Sequence, residues 1–170
     1  MTAAGDSGTA IGSWEDLARG ANRPADEEER KVIHLLTFAL GEATYALRVE
    51  SVREIVRMRS MTPVPRVAEA VRGVVSLRGE IVQVVDLRQR LRLPAAELLR
   101  SSRIVVVHLA DGCIAGLLVD AVREVLKVDA DEVLPPPIGE VSAVEALCER
   151  GGEFVSLIAL QRVLEIDVEG

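Results

Sequence analysis

Aromatic residues are scarce: one Trp, one Tyr and two Phe in 170 residues, against 49% hydrophobic residues overall. A core must therefore come from Val, Leu, Ile and Ala, a palette that favours strands over aromatic binding clefts. Cysteine is nearly absent. Cys113 and Cys148 lack a CxxC or Cys/His ligand spacing, so both read as reduced and structural, with a cytoplasmic home as the corollary. The only histidines, His34 and His108, lie inside strand-like runs and read as packed or rim residues. No apolar run approaches the ~20 residues of a membrane helix, and no basic-then-apolar start marks a signal peptide. Positive charge is also short. The chain carries −7, of which −4 falls in residues 1–30, leaving −3 and no basic stripe for nucleic acid.

Catalytic motifs are missing in the same way. There is no GxSxG, HExxH, GxxxxGK[ST] or GxGxxG pattern, so neither a catalytic residue, a metal nor a cofactor is expected. Asp86 and Asp120 could suggest a carboxylate pair, but each ends a strand-like run, where a carboxylate fixes a turn through backbone N–H groups.

What is present divides at residue 30. Residues 1–30 are small, polar and acidic, a composition that reads as a disordered tail. Within them Ser13-Trp14-Glu15-Asp16-Leu17-Ala18 combines a capping signal with an apolar face, enough for a helical turn or two. A frayed end and a docking peptide both remain open for that segment. From Lys31 the texture changes to β-branched runs over 32–40, 44–58, 71–77, 81–87, 104–109, 113–128 and 154–160. Gly41-Glu42 and Asp111-Gly112 read as hairpin turns, and Pro94 to Arg100 as a short helix. Segment 139–148 fits a helix or a hairpin arm.

The chain repeats itself once. Val49-Glu50-Ser51-Val52-Arg53-Glu54-Ile55-Val56-Arg57-Met58 matches Val119-Asp120-Ala121-Val122-Arg123-Glu124-Val125-Leu126-Lys127-Val128 at a shift of 70. Gly79 to Leu87 resembles Gly152 to Leu160 at a shift of 73. Two small β units, approximately 31–100 and 101–170, are expected to close as little barrels that hide their edges, with exchange of terminal strands left open. In both copies the alternation slips after Val49 or Val119, as a bulge requires. Beyond the slip Val52, Glu54, Val56 and Met58 are expected to share one face, and a carboxylate there suits a rim or partner contact better than a sealed core.

Leu77-Arg78-Gly79-Glu80 reads as a tight hairpin holding Arg78 at an exposed tip, either merely solvated or poised for a bidentate carboxylate contact. Its surroundings carry a resemblance. Thr62-Pro63-Val64-Pro65, Val71-Arg72-Gly73-Val74-Val75-Ser76-Leu77-Arg78-Gly79, Val84-Val85-Asp86-Leu87-Arg88 and Gly116-Leu117-Leu118-Val119-Asp120, followed by Pro135-Pro136-Pro137, resemble the CheW family over about 32–166.

That resemblance implies a mainly β fold of two five-stranded β-barrel subdomains with short helices and a flexible N-terminal tail. It also implies a non-catalytic adaptor, with two partners. One is the regulatory domain of a CheA-type histidine kinase; the other is the cytoplasmic tip of methyl-accepting chemoreceptors, bound in a groove between the barrels. Carried over by position, Arg78, Glu54 and the preceding Val52 become the partner-binding residues. Gln83, Ser76, Val67-Ala68 and Ala159 depart from the usual family residues. With the 30-residue extension they point to the alternative, a paralogue that binds one partner and tunes a non-flagellar pathway.

Overall fold

The computed structural model describes residues 31–136, 138–139 and 143–165. The acidic tail, with its candidate turn at Trp14, lies outside the described residues. The elements are β1 (Val32–Leu40), β2 (Ala43–Arg48), β3 (Val52–Arg57), β4 (Val71–Leu77), β5 (Glu80–Asp86), α1 (Leu87–Arg90), β6 (Arg103–His108), β7 (Ile114–Val119), β8 (Ala121–Asp129), β9 (Val144–Arg150), β10 (Glu153–Ile158) and α2 (Leu160–Leu164). From Val144 onward the ambiguous segment is a hairpin arm, while 140–142 lie outside the described residues.

Ten strands form two five-stranded sheets of order β8-β1-β2-β10-β9 and β3-β6-β7-β5-β4. The second order maps onto the first strand by strand through the repeat. Each sheet takes an antiparallel pair from one copy (β1-β2 or β6-β7) and three strands from the other, so the copies are interwoven. Even the irregularities recur. The pairings Leu77↔Glu80, Gly73↔Val84 and Val71↔Val85 reappear 73 residues later as Arg150↔Glu153, Ala146↔Leu157 and Val144↔Ile158, bulge included.

The expected closed barrels need correcting. Among the described residues no ladder joins β3 to β4 or β8 to β9; instead the chain after β3 bridges β4 at Thr62↔Val74 and the chain after β8 bridges β9 at Leu134↔Leu147. The first bridge requires glycine beside it. Gly73 has φ +151°, and a Cβ there would sit 2.6 Å from the Thr62 carbonyl oxygen, a separation only a residue without a side chain tolerates.

Alternation along the strands explains the core. In β6 and β7 four consecutive residues of each strand are buried, because one face packs inside its own sheet and the other against the opposite sheet. Three clusters result. Leu35, Ala46, Val128, Ala146, Cys148, Val155 and Leu157 fill the first sheet, and Val75, Leu77, Val82, Val84, Ile104, Val106 and Leu118 fill the second. Between them lie Leu36, Phe38, Leu47, Val105, Val107, Leu117 and Val163, among others. A full side chain such as Leu or Phe contributes about 1.5–3 kcal/mol on such burial, so an aliphatic core replaces the missing aromatics.

The predicted helix at Pro94–Arg100 does not form: 93–99 is irregular. Leu98 and Leu99 remain 44% and 57% exposed, so no apolar face docks, and one or two helical turns do not persist without packing. A helical turn forms earlier instead, where the Asp86 carboxylate accepts hydrogen bonds from the backbone N–H of Arg88 and Gln89 and caps α1. Cys148 is buried, whereas Cys113 is exposed in the β6-β7 turn rather than packed, and Asp111 pushes its thiol pKa up. His34 and His108 are both exposed at strand ends. By strand pairing Phe38 and Val107 are equivalent, since they face Val122 and Val52.

Candidate partner-binding surface

The β4-β5 hairpin turns in two residues. Leu77 pairs with Glu80, and Arg78 and Gly79 between them have φ +51° and +83°. Two successive positive φ values match the twist of the flanking strands, but the first falls on an arginine, which glycine would replace without steric cost. The matching turn in the second repeat is Gly151-Gly152, at φ +57° and +83°.

Arg78 bends back over β3. Its Nη2 lies 3.2 Å from Glu54 Oε1, with the arginine side chain 74% exposed and the glutamate 18%. A second pair runs the opposite way across the same gap, from Arg53 Nη1 to Glu80 Oε1 at 2.8 Å, and the Glu80 contact raises the Arg53 pKa. These crossed pairs stitch β3 to the hairpin where no strand ladder exists. Beside them Ile81 is 72% and Ile55 41% exposed. Exposed isoleucines thus stand next in sequence to fixed charges of both signs, a combination suited to another protein surface.

Arg78 and Glu54 are therefore brought together, but Val52 is not. The register slips between Val52, opposite Val107, and Glu54, opposite Val106. Val52 consequently packs on the inter-sheet cluster, whereas Val56 and Met58 pack inside the second sheet. The expectation of one shared face fails because the slip lies beyond Val52: residues 49–51 form a 3-10 turn, and Arg53 is the extra residue of the bulge. Arg53, Glu80 and Ile81 were missed. A signal existed in the alternation of charge and apolar residue at each end of the turn, but pairing across 27 positions needs the fold.

A polar cluster holds the junction between the sheets. Arg88 donates from Nε and Nη2 to the two Asp120 carboxylate oxygens at 3.0 and 2.5 Å, and Gly41 N–H donates to Asp120 Oδ2 at 2.7 Å. Hydrogen bonding from Arg88, then from Gly41, lowers the Asp120 pKa against the opposing effect of burial. Arg72 meets Asp86 at 2.9 Å nearby. Both aspartates thus serve turns and ion pairs. Among the described residues no group of three His, Cys, Asp or Glu side chains could hold a metal ion.

The family profile described as CheW-like domain matches residues 34–168, which takes in both sheets. The chain belongs to the CheW-like family. It is 34% identical over 134 residues to Chemotaxis protein CheW of Rhizobium meliloti (strain 1021), covering 76% of this chain and 85% of that one. It is 31% identical over 133 residues to Protein FrzA of Myxococcus xanthus, covering 75% and 82%. Among solved structures it is similar to the scaffolding protein TtCheW from Thermoanaerobacter tengcongensis, with TM-score 0.75, 31% identity, and 81% of this chain and 95% of that one covered. In this CheW-like chain the interwoven repeat therefore belongs to a shared fold. No helix among the described residues is long and apolar enough to cross a membrane.

Proposed function

We propose that this CheW-like protein is a non-catalytic adaptor that couples chemoreceptors to a CheA-type histidine kinase. Its partners are the kinase's regulatory domain and the cytoplasmic tip of methyl-accepting receptors, met in the cytoplasm at receptor clusters. The reading takes no cofactor, nucleic acid or membrane insertion. The observation that carries the site is Arg78 itself. An arginine in left-handed backbone, where the sister turn uses glycine, costs about 1–2 kcal/mol, and its exposed pair with Glu54 returns at most about 1 kcal/mol. The Glu54 pair does not return that cost, and a partner contact would return it. Together Arg78 and Glu54 offer a pre-oriented cation beside Ile81, with donors of the guanidinium left over for a partner carboxylate or carbonyls.

The test is binding of purified wild-type and Arg78→Ala protein to the cognate kinase regulatory domain and to a receptor fragment. Loss of an arginine anchor at a packed interface costs ~2 kcal/mol or more, about thirtyfold in affinity. Equal binding by a folded variant overturns the site. A second reading, a paralogue engaging one partner and tuning a non-flagellar pathway, is favoured by the similarity to FrzA and by the departures at Ser76, Gln83 and Ala159. One retained partner instead of two in the same assay selects it.

A further inference from the structure

At the far end of β3 the surface changes character. A groove of about 500 Å³ is lined by Arg57, Met58, Leu99, Arg100 and Arg103. Met58 packs on the core of the second sheet and forms an apolar floor, Leu99 stands 57% exposed, and three guanidinium groups surround them. Arg103 spends one nitrogen on the carbonyls of Arg100 and Ser102. Arg57 and Arg100 form no ion pair among the described residues, although the chain holds 27 acidic residues against 20 Lys and Arg. A cluster of unpaired cations around apolar floor, on an acidic protein, calls for an occupant that is both acidic and apolar.

The chain carries such a segment before β1. Trp14 and Leu17 stand three positions apart with Glu15 and Asp16 between them. We propose that the groove binds this Trp14–Leu17 segment of the same chain. Trp14 and Leu17 cover Met58 and Leu99, Glu15 and Asp16 meet Arg57 and Arg100, and the indole is within the class of rings on which arginine stacks favourably. The tether suits an intramolecular contact. Thirteen residues separate Leu17 from Lys31, a flexible span with r.m.s. length on the order of 20 Å, about one radius and a half of a domain this size. Tethering at that length supplies the segment at an effective concentration near millimolar, so even a weak docking contact is populated. Since the groove and Glu54 lie on one strand, four residues or about 13 Å apart, the docked segment sits next to the candidate partner surface.

Trp14 is the only tryptophan of the chain, so intrinsic fluorescence of the full-length protein reads this contact directly. The expected wild-type emission is blue-shifted from that of the denatured chain and resists quenching by acrylamide. Arg57→Glu/Arg100→Glu is expected to move it to the denatured position and raise quenching several-fold without lowering the melting temperature. Should that pair of reversals destabilise the domain, Leu17→Ala, which alters the tail alone, is expected to give the same release. Wild-type emission already at the denatured position, or emission unmoved by both variants, overturns the proposal. A wild-type spectrum that shifts on serial dilution also overturns it, by placing the segment on a second copy.

Discussion

Arg78 and Gly151 occupy the same position in two copies of one hairpin, with φ +51° and +57°. The backbone is matched within a few degrees, yet only one copy fills it with a residue that prefers the opposite hand. Around it the copies also differ in charge pairing. The first holds Arg78–Glu54 and Arg53–Glu80; in the second the same register positions carry Gly151, Glu124, Arg123 and Glu153, and Arg150, one residue before the turn, donates to the Lys127 carbonyl instead. The repeat thus supplies an internal reference in which the fold is constant and the surface is not.

Arg78→Gly follows directly from that reference. Relief of the left-handed backbone is worth about 1 kcal/mol, offset in part by the greater entropy of glycine in the unfolded chain. Denaturant unfolding is expected to show stability equal to wild type or higher by up to about 1 kcal/mol, while binding to the kinase domain falls. Clear destabilisation by Arg78→Gly would show that the side chain supports the fold.

Because Arg78 and Glu54 touch, their contributions to binding are coupled. Separate contacts would give additive losses; a pre-oriented pair gives a double variant hardly worse than either single one. In a double-mutant cycle with Arg78→Ala and Glu54→Ala, the interaction energy in partner binding is expected to exceed about 0.5 kcal/mol. Additive losses in titration calorimetry would assign the two residues to independent sites.

Strand character, the duplication and the exposed turn were legible because each is local: alternation, a shift of 70 or 73, and a glycine after an arginine. The interweaving of copies was not. Which sheet β1 joins depends on its ladder with β8, about 90 residues away, and on details such as the Thr37 hydroxyl, which bridges the Glu124 N–H and carbonyl at the bulge. A one-residue slip flips every side chain beyond it. Locating that slip before Val52 instead of after it was enough to put Val52 on the wrong face. At Pro94–Arg100 the helical pattern was real, but its leucines, 44% and 57% exposed, do not enter the core.

Acid should act through the inter-sheet junction. Arg88 and Gly41 hold the Asp120 pKa below its ordinary value, so the carboxylate adds stability above the unfolded pKa of ~3.9 and loses it as pH falls through the folded value. At neutral pH Asp120→Asn is expected to cost about 2 kcal/mol, the scale of hydrogen bonds to a charged group. Below the folded pKa of Asp120 the difference from wild type should shrink. Urea unfolding across the acid range checks this; a difference that does not vary with pH would locate the effect in shape rather than charge.

The junction is wired differently in the two copies, which explains Ala159. In the second sheet Asp86, paired with Leu118 in the ladder, caps α1 and takes Arg72 at 2.9 Å. The corresponding residues of the first sheet are Ala159, Arg48 and Glu145, and there Arg48 meets Glu145 at 3.2 Å. The cation has moved to the strand where Leu118 stood and the carboxylate to where Arg72 stood. Ala159, 4% exposed, adds no charge to that pair, and α2 has no side-chain cap. Restoring the cap alone, as Ala159→Asp, would gain about 1 kcal/mol at an isolated helix end. Here it sets a second carboxylate beside Glu145 in a buried position, a penalty of about 1–3 kcal/mol that outweighs the cap. Ala159→Asp is therefore expected to lower stability. Adding Arg48→Leu and Glu145→Arg, which copies Leu118 and Arg72 into the first sheet, is expected to recover most of the loss. Equilibrium unfolding of the single and triple variants decides it: a single variant as stable as wild type, or a triple variant no better than the single, would mean that the charge pattern does not set the residue at 159.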